Sequence, residues 1–150
     1  MDDVDRNLIA ALRANARASY AELGRAVGMS GPGVADRVAR LEETGVITGY
    51  HATVDPAALG LSVAALVGVH LSDTSDQDAV ATALRALGEV EDCWFVAGEE
   101  SFVLKVRVPG MPDLEATLSR LRRIRGVSRT RTTVVLSTKW ENRAAGTGTA

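Results

Sequence analysis

Three observations predict an α+β chain in two parts. Apolar residues recur at helical spacing as far as Gly45, with the clearest capping and turn signals between Ser19 and Gly45. A short Pro- and Gly-bounded segment, Asp55-Pro56-Ala57-Ala58-Leu59-Gly60, then breaks that pattern. Beyond it, Val- and Leu-rich strand runs alternate with two helical periods in the order βαββαβ. The first part reads as a winged helix-turn-helix over residues 1–55, followed by a linker at 56–61. The second reads as a ferredoxin-like domain over 62–140, with residues 141–150 as a flexible tail.

The first helix is expected from Asp5 to Arg13, with Leu8, Ile9 and Leu12 on one face. Ser19 and Glu22 stand at capping-box spacing and open the next helix, whose Leu23 and Val27 lie one turn apart. Gly28 marks the turn, where a left-handed backbone costs glycine least. Ser30 then caps a third helix reaching Glu43, with Pro32 in its first turn, where a missing N–H is harmless. Val34, Val38 and Leu41 give that helix its buried face, at i, i+4 and i+7. Gly45 ends it, and the β-branched run Val46-Ile47-Thr48 begins the wing.

Burying Val34, Val38 and Leu41 leaves the other side of the third helix free. That side carries Ser30, Asp36, Arg37 and Arg40, residue types that suit base edges and phosphates of double-stranded DNA. Gly31, Pro32 and Gly33 keep the helix entry slim enough for close approach to a groove. Local spacing alone also fits an ordinary helical pair with solvated arginines.

Composition narrows the field. The formal net charge is −2, and arginines in residues 1–55 are matched by acids, so there is no broad positive field. One copy is therefore expected to bind DNA weakly and to need a partner copy to gather phosphate contacts. The single Cys93 excludes an internal disulfide, and its run Cys93-Trp94-Phe95-Val96 predicts a buried, inert thiol. The longest apolar run, Val63 to Leu71, holds Gly68 and His70 and is too short for a membrane span. The acidic start lacks the order of a secretion signal, which predicts a cytoplasmic protein. His70 has no second His, Cys or paired acid at ligand spacing, so no metal or cofactor is expected.

In the second part, strands are expected at Ser62–Ser72, Val90–Ala97, Phe102–Val108 and Val127–Leu136. Helices are expected at Asp76–Gly88, with Val80, Ala83, Leu84 and Leu87 inward, and at Met111–Arg125, with Leu114, Leu118 and Leu121 inward. Two helices cover one face of a four-stranded sheet. The first two strands are nevertheless apolar on both sides, with Ala64 and Leu66 opposing Val63, Ala65, Val67, Val69 and Leu71. The uncovered face predicts pairing with a second copy by a two-fold contact. Arg120, Arg122, Arg123, Arg125, Arg129 and Arg131 read as a solvated face, or as cations reaching wrapped DNA.

The chain resembles the Lrp/AsnC (feast/famine) transcription regulators through residues spread over positions 2 to 140. They are Asp5, Leu23, Met29-Ser30, Val34, Arg37-Val38, Arg40-Leu41-Glu42, Gly45-Val46-Ile47, Gly49-Tyr50 and Gly60 in the first half. In the second they are Val96, Gly98, Phe102, Leu104, Val106, Val127, Thr130 and Thr132. The resemblance implies a sequence-specific DNA-binding regulator with a C-terminal domain of the RAM/AsnC type. It implies dimers that pair through their sheets and assemble further, often as octamers. It also implies a small effector, usually an amino acid, beside the turn joining strands two and three.

In that family the turn often reads Gly-x-x-Asp, whereas here it reads Gly98-Glu99-Glu100-Ser101. Ser101 accepts a hydrogen bond but carries no charge, and Glu100 stands next to it as a substitute. Thr130 and Thr132 share one face of the fourth strand, which the resemblance places beside the pocket, although threonine is also simply a good strand residue. Two other readings stay open: an architectural DNA protein without an effector, and an enzyme like the sirohaem decarboxylases, for which only His51 and His70 are available.

Overall fold

Residues 1–142 are described in the computed structural model, and they divide into a unit holding Met1–Thr53 and a second spanning Val54–Lys139. The first unit contains α1 (Asp3–Ala14), α2 (Tyr20–Val27) and α3 (Gly31–Glu43). Leu8, Leu12, Leu23, Val34 and Val38 form its core, with Val27 and Ile47 packed against them. Both α1 and α2 open on capping boxes: Asp2 with Asp5, and Ser19 with Glu22. The sequence reading found the second box and missed the first, so α1 starts two residues earlier than expected.

The turn between α2 and α3 depends on two glycines. Gly28 caps α2 at φ +71°, in the left-handed region expected for it. Gly24, not singled out from the sequence, is buried where the turn folds back over α2. A Cβ there would stand 2.5 Å from the carbonyl oxygen of Met29. Only a hydrogen side chain lets the turn sit this close.

The wing expected after α3 does not form as paired strands. Residues 44–55 contain no strand. A wing needs two antiparallel runs exchanging hydrogen bonds. Here Val46 and Ile47 instead give their N–H groups to Leu41 O, at 2.9 Å each, and so complete the end of α3. Tyr50 is held by its hydroxyl, which donates to Glu42 Oε1 at 2.8 Å.

The second unit opens on a 3-10 turn, Pro56–Leu59, where the sequence reading expected an irregular linker. Four strands follow: β1 (Val63–Leu71), β2 (Val90–Phe95), β3 (Phe102–Val108) and β4 (Val127–Val135). Helices α4 (Gln77–Arg85) and α5 (Met111–Arg123) complete the βαββαβ order. The sheet runs β2-β3-β1-β4 and is antiparallel throughout, as the expected plan requires. Every element lies within a few residues of its expected place. The tail expected at 141–150 falls, from residue 143 onward, outside the described residues.

One face of the sheet packs on both helices. Val67, Val69, Phe102, Leu104 and Val106 meet Val80 and Leu84 of α4 and Leu114 and Leu121 of α5. Directly paired residues share a face, so the register assigns the rest. Ala64, Leu66 and Gly68 of β1 face the other way, together with Val103, Lys105 and Arg107 of β3 and Arg131 and Thr133 of β4. Cys93 is exposed, against the buried thiol expected. It pairs with Leu104 and so lies on the helix side, but on the edge strand β2, where it stays exposed.

Candidate functional site

Two regions gather the residues singled out from the sequence. The first is the N-terminal half of α3. Ser30 lies in extended conformation and its Oγ accepts from the Gly33 N–H at 3.4 Å. Pro32, Asp36 and Arg40 are exposed, while Gly31 and Gly33 are half-buried. Gly33 is tightly seated: a Cβ there would lie 3.1 Å from Met29 Cε and 3.3 Å from Ser30 Oγ. Val34, Val38 and Leu41 point into the core, as the spacing required. The opposite side of α3 presents a slim, polar N-terminus, at the positive end of the helix dipole, which favours anionic ligands such as backbone phosphates.

Arg37, expected at the DNA, is held in an ion-pair cluster. Its Nη1 donates to Asp2 Oδ2 and to Asp5 Oδ1, both at 2.7 Å. Asp5 is only 3% exposed. The two aspartates are already joined by the α1 capping box, with Asp5 N–H on Asp2 Oδ1 at 2.8 Å and Asp2 N–H on Asp5 Oδ2 at 3.0 Å. Those backbone donors, and after them the Arg37 guanidinium, pull the Asp2 carboxyl down to about 2 and also lower that of Asp5. Arg37 is raised in return, chiefly by its bonds to Asp2 and Asp5. Arg40 is more open, with its Nη2 3.6 Å from Asp5 Oδ1. The spacing Asp2-x-x-Asp5 was the sequence signal for the first half of this cluster. Nothing local linked it to Arg37, more than thirty residues away.

The second region is the Gly98–Ser101 turn between β2 and β3. Ser101 is fixed by its backbone, donating its N–H to Val69 O at 2.9 Å and accepting from Val96 N–H at 3.0 Å. The side chain of Glu100 lies over Gly68, where a Cβ would come within 2.5 Å of Glu100 Cγ. Glu99 Oε2 and Glu100 Oε1 each stand 3.9 Å from Arg131 Nη1. Gly68 pairs with Arg131 in the register, so this ion cluster occupies the helix-free face. Thr130 and Thr132 pair with Val69 and Val67, residues of the helix-packed core. The structure therefore brings Gly98, Glu99, Glu100 and Ser101 together with Arg131, and sets Thr130 and Thr132 on the opposite face of the sheet. Gly68 and Arg131 were not picked out from the sequence as parts of this region. Among the described residues, no group of His, Cys, Asp or Glu side chains is arranged to hold a metal ion. No helix of the described residues is long and apolar enough to cross a membrane.

A helix-turn-helix joined to an α+β domain with a four-stranded antiparallel sheet is the build of a ligand-responsive DNA-binding regulator. Comparison with known proteins gives the family. Residues 1–42 match the AsnC-type helix-turn-helix domain, and residues 64–145 match the Lrp/AsnC ligand binding domain. The chain belongs to the Lrp/AsnC family of transcriptional regulators. It is 43% identical over 143 residues to the HTH-type transcriptional regulator LrpA of Mycobacterium tuberculosis, covering 95% of both chains. It is 37% identical over 141 residues to the leucine-responsive regulatory protein of Escherichia coli, covering 91% of this chain and 85% of that one. Its fold matches a feast or famine regulatory protein of Mycobacterium tuberculosis complexed with L-methionine, with a TM-score of 0.90 and 43% identity. That match covers 95% of this chain and 97% of the other.

Proposed function

We propose that α3 enters the major groove of double-stranded DNA, with Ser30, Gly31, Pro32, Gly33, Asp36 and Arg40 nearest the bases and phosphates. The observation that carries this reading is the slim N-terminal half of α3, free on one side and seated on the α1–α2 core on the other. A small effector, an amino acid, binds at the Gly98–Ser101 turn. The L-methionine complex of a relative at 43% identity supports that ligand class. In this chain Glu100 stands ready to meet the ligand's ammonium group in place of the family's aspartate. Arg131 stands opposite it, where a ligand carboxylate would be attracted. No side chain is assigned a catalytic role.

Copies pair through the helix-free face of the sheet. Leu66 is 42% exposed and Trp94 48% exposed on that face. Charged groups flank them: Lys105 and Arg107 with Glu91 on one side, Arg131 with Glu99 and Glu100 on the other. Apolar Leu66, Val103 and Trp94 interleaved with charge of both signs suit an isologous contact. Further assembly, to an octamer, would set the spacing between paired reading helices. An effector that favours one assembly over another then changes DNA affinity through geometry.

The test is a binding shift on DNA taken from upstream of the protein's own gene, at fixed salt, with Glu100→Gln alongside the wild type. Wild type is expected to respond to one amino acid, and the variant to need a higher concentration of it. An unchanged response in Glu100→Gln would move the effector away from this turn.

A further inference from the structure

We infer that Arg37 is a positioning residue that locks the presentation of α3, and that it does not itself contact DNA. The argument rests on the DNA-binding reading of α3 and starts from where the guanidinium is held. One nitrogen, Nη1, serves two carboxylates at 2.7 Å, and those carboxylates are the two halves of the α1 capping box. The side chain of Asp5 is 4% exposed and that of Arg37 24%. Freeing Arg37 for a phosphate would leave the largely buried Asp5 carboxylate with only the Asp2 N–H and the longer Arg40 pair, a costly exchange. Helix α1 also meets α3 through the longer Arg40–Asp5 pair at 3.6 Å and through apolar packing around Leu8 and Leu12, which fixes distance better than angle. The Asp2–Arg37–Asp5 cluster adds a directional tie at the margin of that core. It sets the rotation of α3, and with it the aim of Asp36 and Arg40.

The two roles predict opposite signs for one substitution. If Arg37 met a phosphate, Asp5→Asn would release it, remove a competing negative charge and tighten DNA binding. If Arg37 positions α3, Asp5→Asn loosens the tie and weakens binding to the preferred sequence. Asp3→Asn removes the same charge from a neighbouring exposed aspartate that pairs with Arg6 of its own helix, and so controls for charge alone.

The experiment compares full-length wild type, Arg37→Ala, Asp5→Asn and Asp3→Asn on a duplex from upstream of the gene and on a shuffled duplex, across a salt series. Melting curves establish that each variant is folded at the assay temperature, and the milder Asp2→Asn stands in if Asp5→Asn is not. The expected result is a preference for the upstream duplex reduced by about tenfold in Arg37→Ala and in Asp5→Asn, on the scale of one lost base contact. Binding to the shuffled duplex and the salt slope stay as in wild type, as does everything in Asp3→Asn. A merely structural role would lower the folded fraction and leave that preference ratio untouched. Tighter binding by Asp5→Asn that is lost once Arg37→Ala is added, or a salt slope reduced by about 0.9 in Arg37→Ala, would overturn the proposal by marking a phosphate contact of Arg37 rather than of Arg40. Should wild type itself show no preference, the DNA reading falls separately. The tie is then judged by the distance between spin labels at positions 7 and 39 in a Cys93→Ser background. A broadened distance in Arg37→Ala upholds it, and an unchanged one overturns it.

Discussion

Gly24 shows how much a single missing side chain can decide. Its Cα lies under the α2–α3 turn, and a Cβ would be 2.5 Å from the Met29 carbonyl oxygen, an atom of the backbone that cannot rotate away. Gly24→Ala is expected to lower the stability of the first unit by about 1–3 kcal/mol, the usual cost of overpacking a tight contact, measured by urea unfolding. Asp2 acts through charge. Its carboxyl is depressed from 3.8 to about 2 by the Asp5 N–H and by Arg37. A depressed acid contributes stability that is complete above its unfolded value and fades as pH falls through its folded one. The melting temperature of the first unit should therefore drop between about pH 4 and pH 2, more steeply in wild type than in Asp2→Asn. Equal slopes would mean that the Arg37 cluster is not formed in solution.

Capping shows most clearly what could be read in the sequence at the level of elements. Ser19 with Glu22, Ser30 before Gly31-Pro32, and Gly28 after Val27 each announced a helix boundary, because a cap is made by residues within four positions of one another. Ser19→Ala removes both an acceptor for the Glu22 N–H and a donor to Glu22 Oε2, and is expected to cost about 1 kcal/mol, read from thermal unfolding. The βαββαβ order was legible for a similar reason: periodicity is local. The wing was misread because β-branched residues announce an extended chain but not a partner strand, and Val46 and Ile47 spend their N–H groups on Leu41. The ion pairs of Arg37 and the faces of Thr130 and Glu100 were not foreseen because each depends on contacts between distant segments. Register alone sets Thr130 against Val69 and Arg131 against Gly68, on opposite faces. The fold was thus almost wholly legible, and the site only as far as neighbours in sequence could report it.

For the molecule as a whole, the proposed function depends on several copies acting together. A near-neutral chain that carries its cations among its own acids gathers few phosphate contacts by itself, and the proposed pairing of copies would add to them. The helix-free face of the sheet is where that pairing is proposed. Replacing Leu66, exposed at its centre, with arginine puts like charges opposite each other across a two-fold contact. Leu66→Arg is expected to reduce the mass seen by light scattering to that of a smaller species and to weaken DNA binding at least tenfold by removing the second reading head. Retained mass in Leu66→Arg would place the contact elsewhere. Gly68 links this face to the proposed effector site. Gly68→Ala would push Glu100 from its seat, and is expected to raise the amino-acid concentration needed for a response while leaving the secondary structure unchanged by circular dichroism.

The most direct test of the account is binding to the DNA upstream of the gene, at one salt concentration, with each amino acid in turn and with light scattering on the same samples. The account predicts a discrete complex on that DNA, absent on a shuffled duplex, whose affinity and assembly change together with one amino acid. Equal binding to both duplexes, with no amino acid altering either quantity, would contradict it.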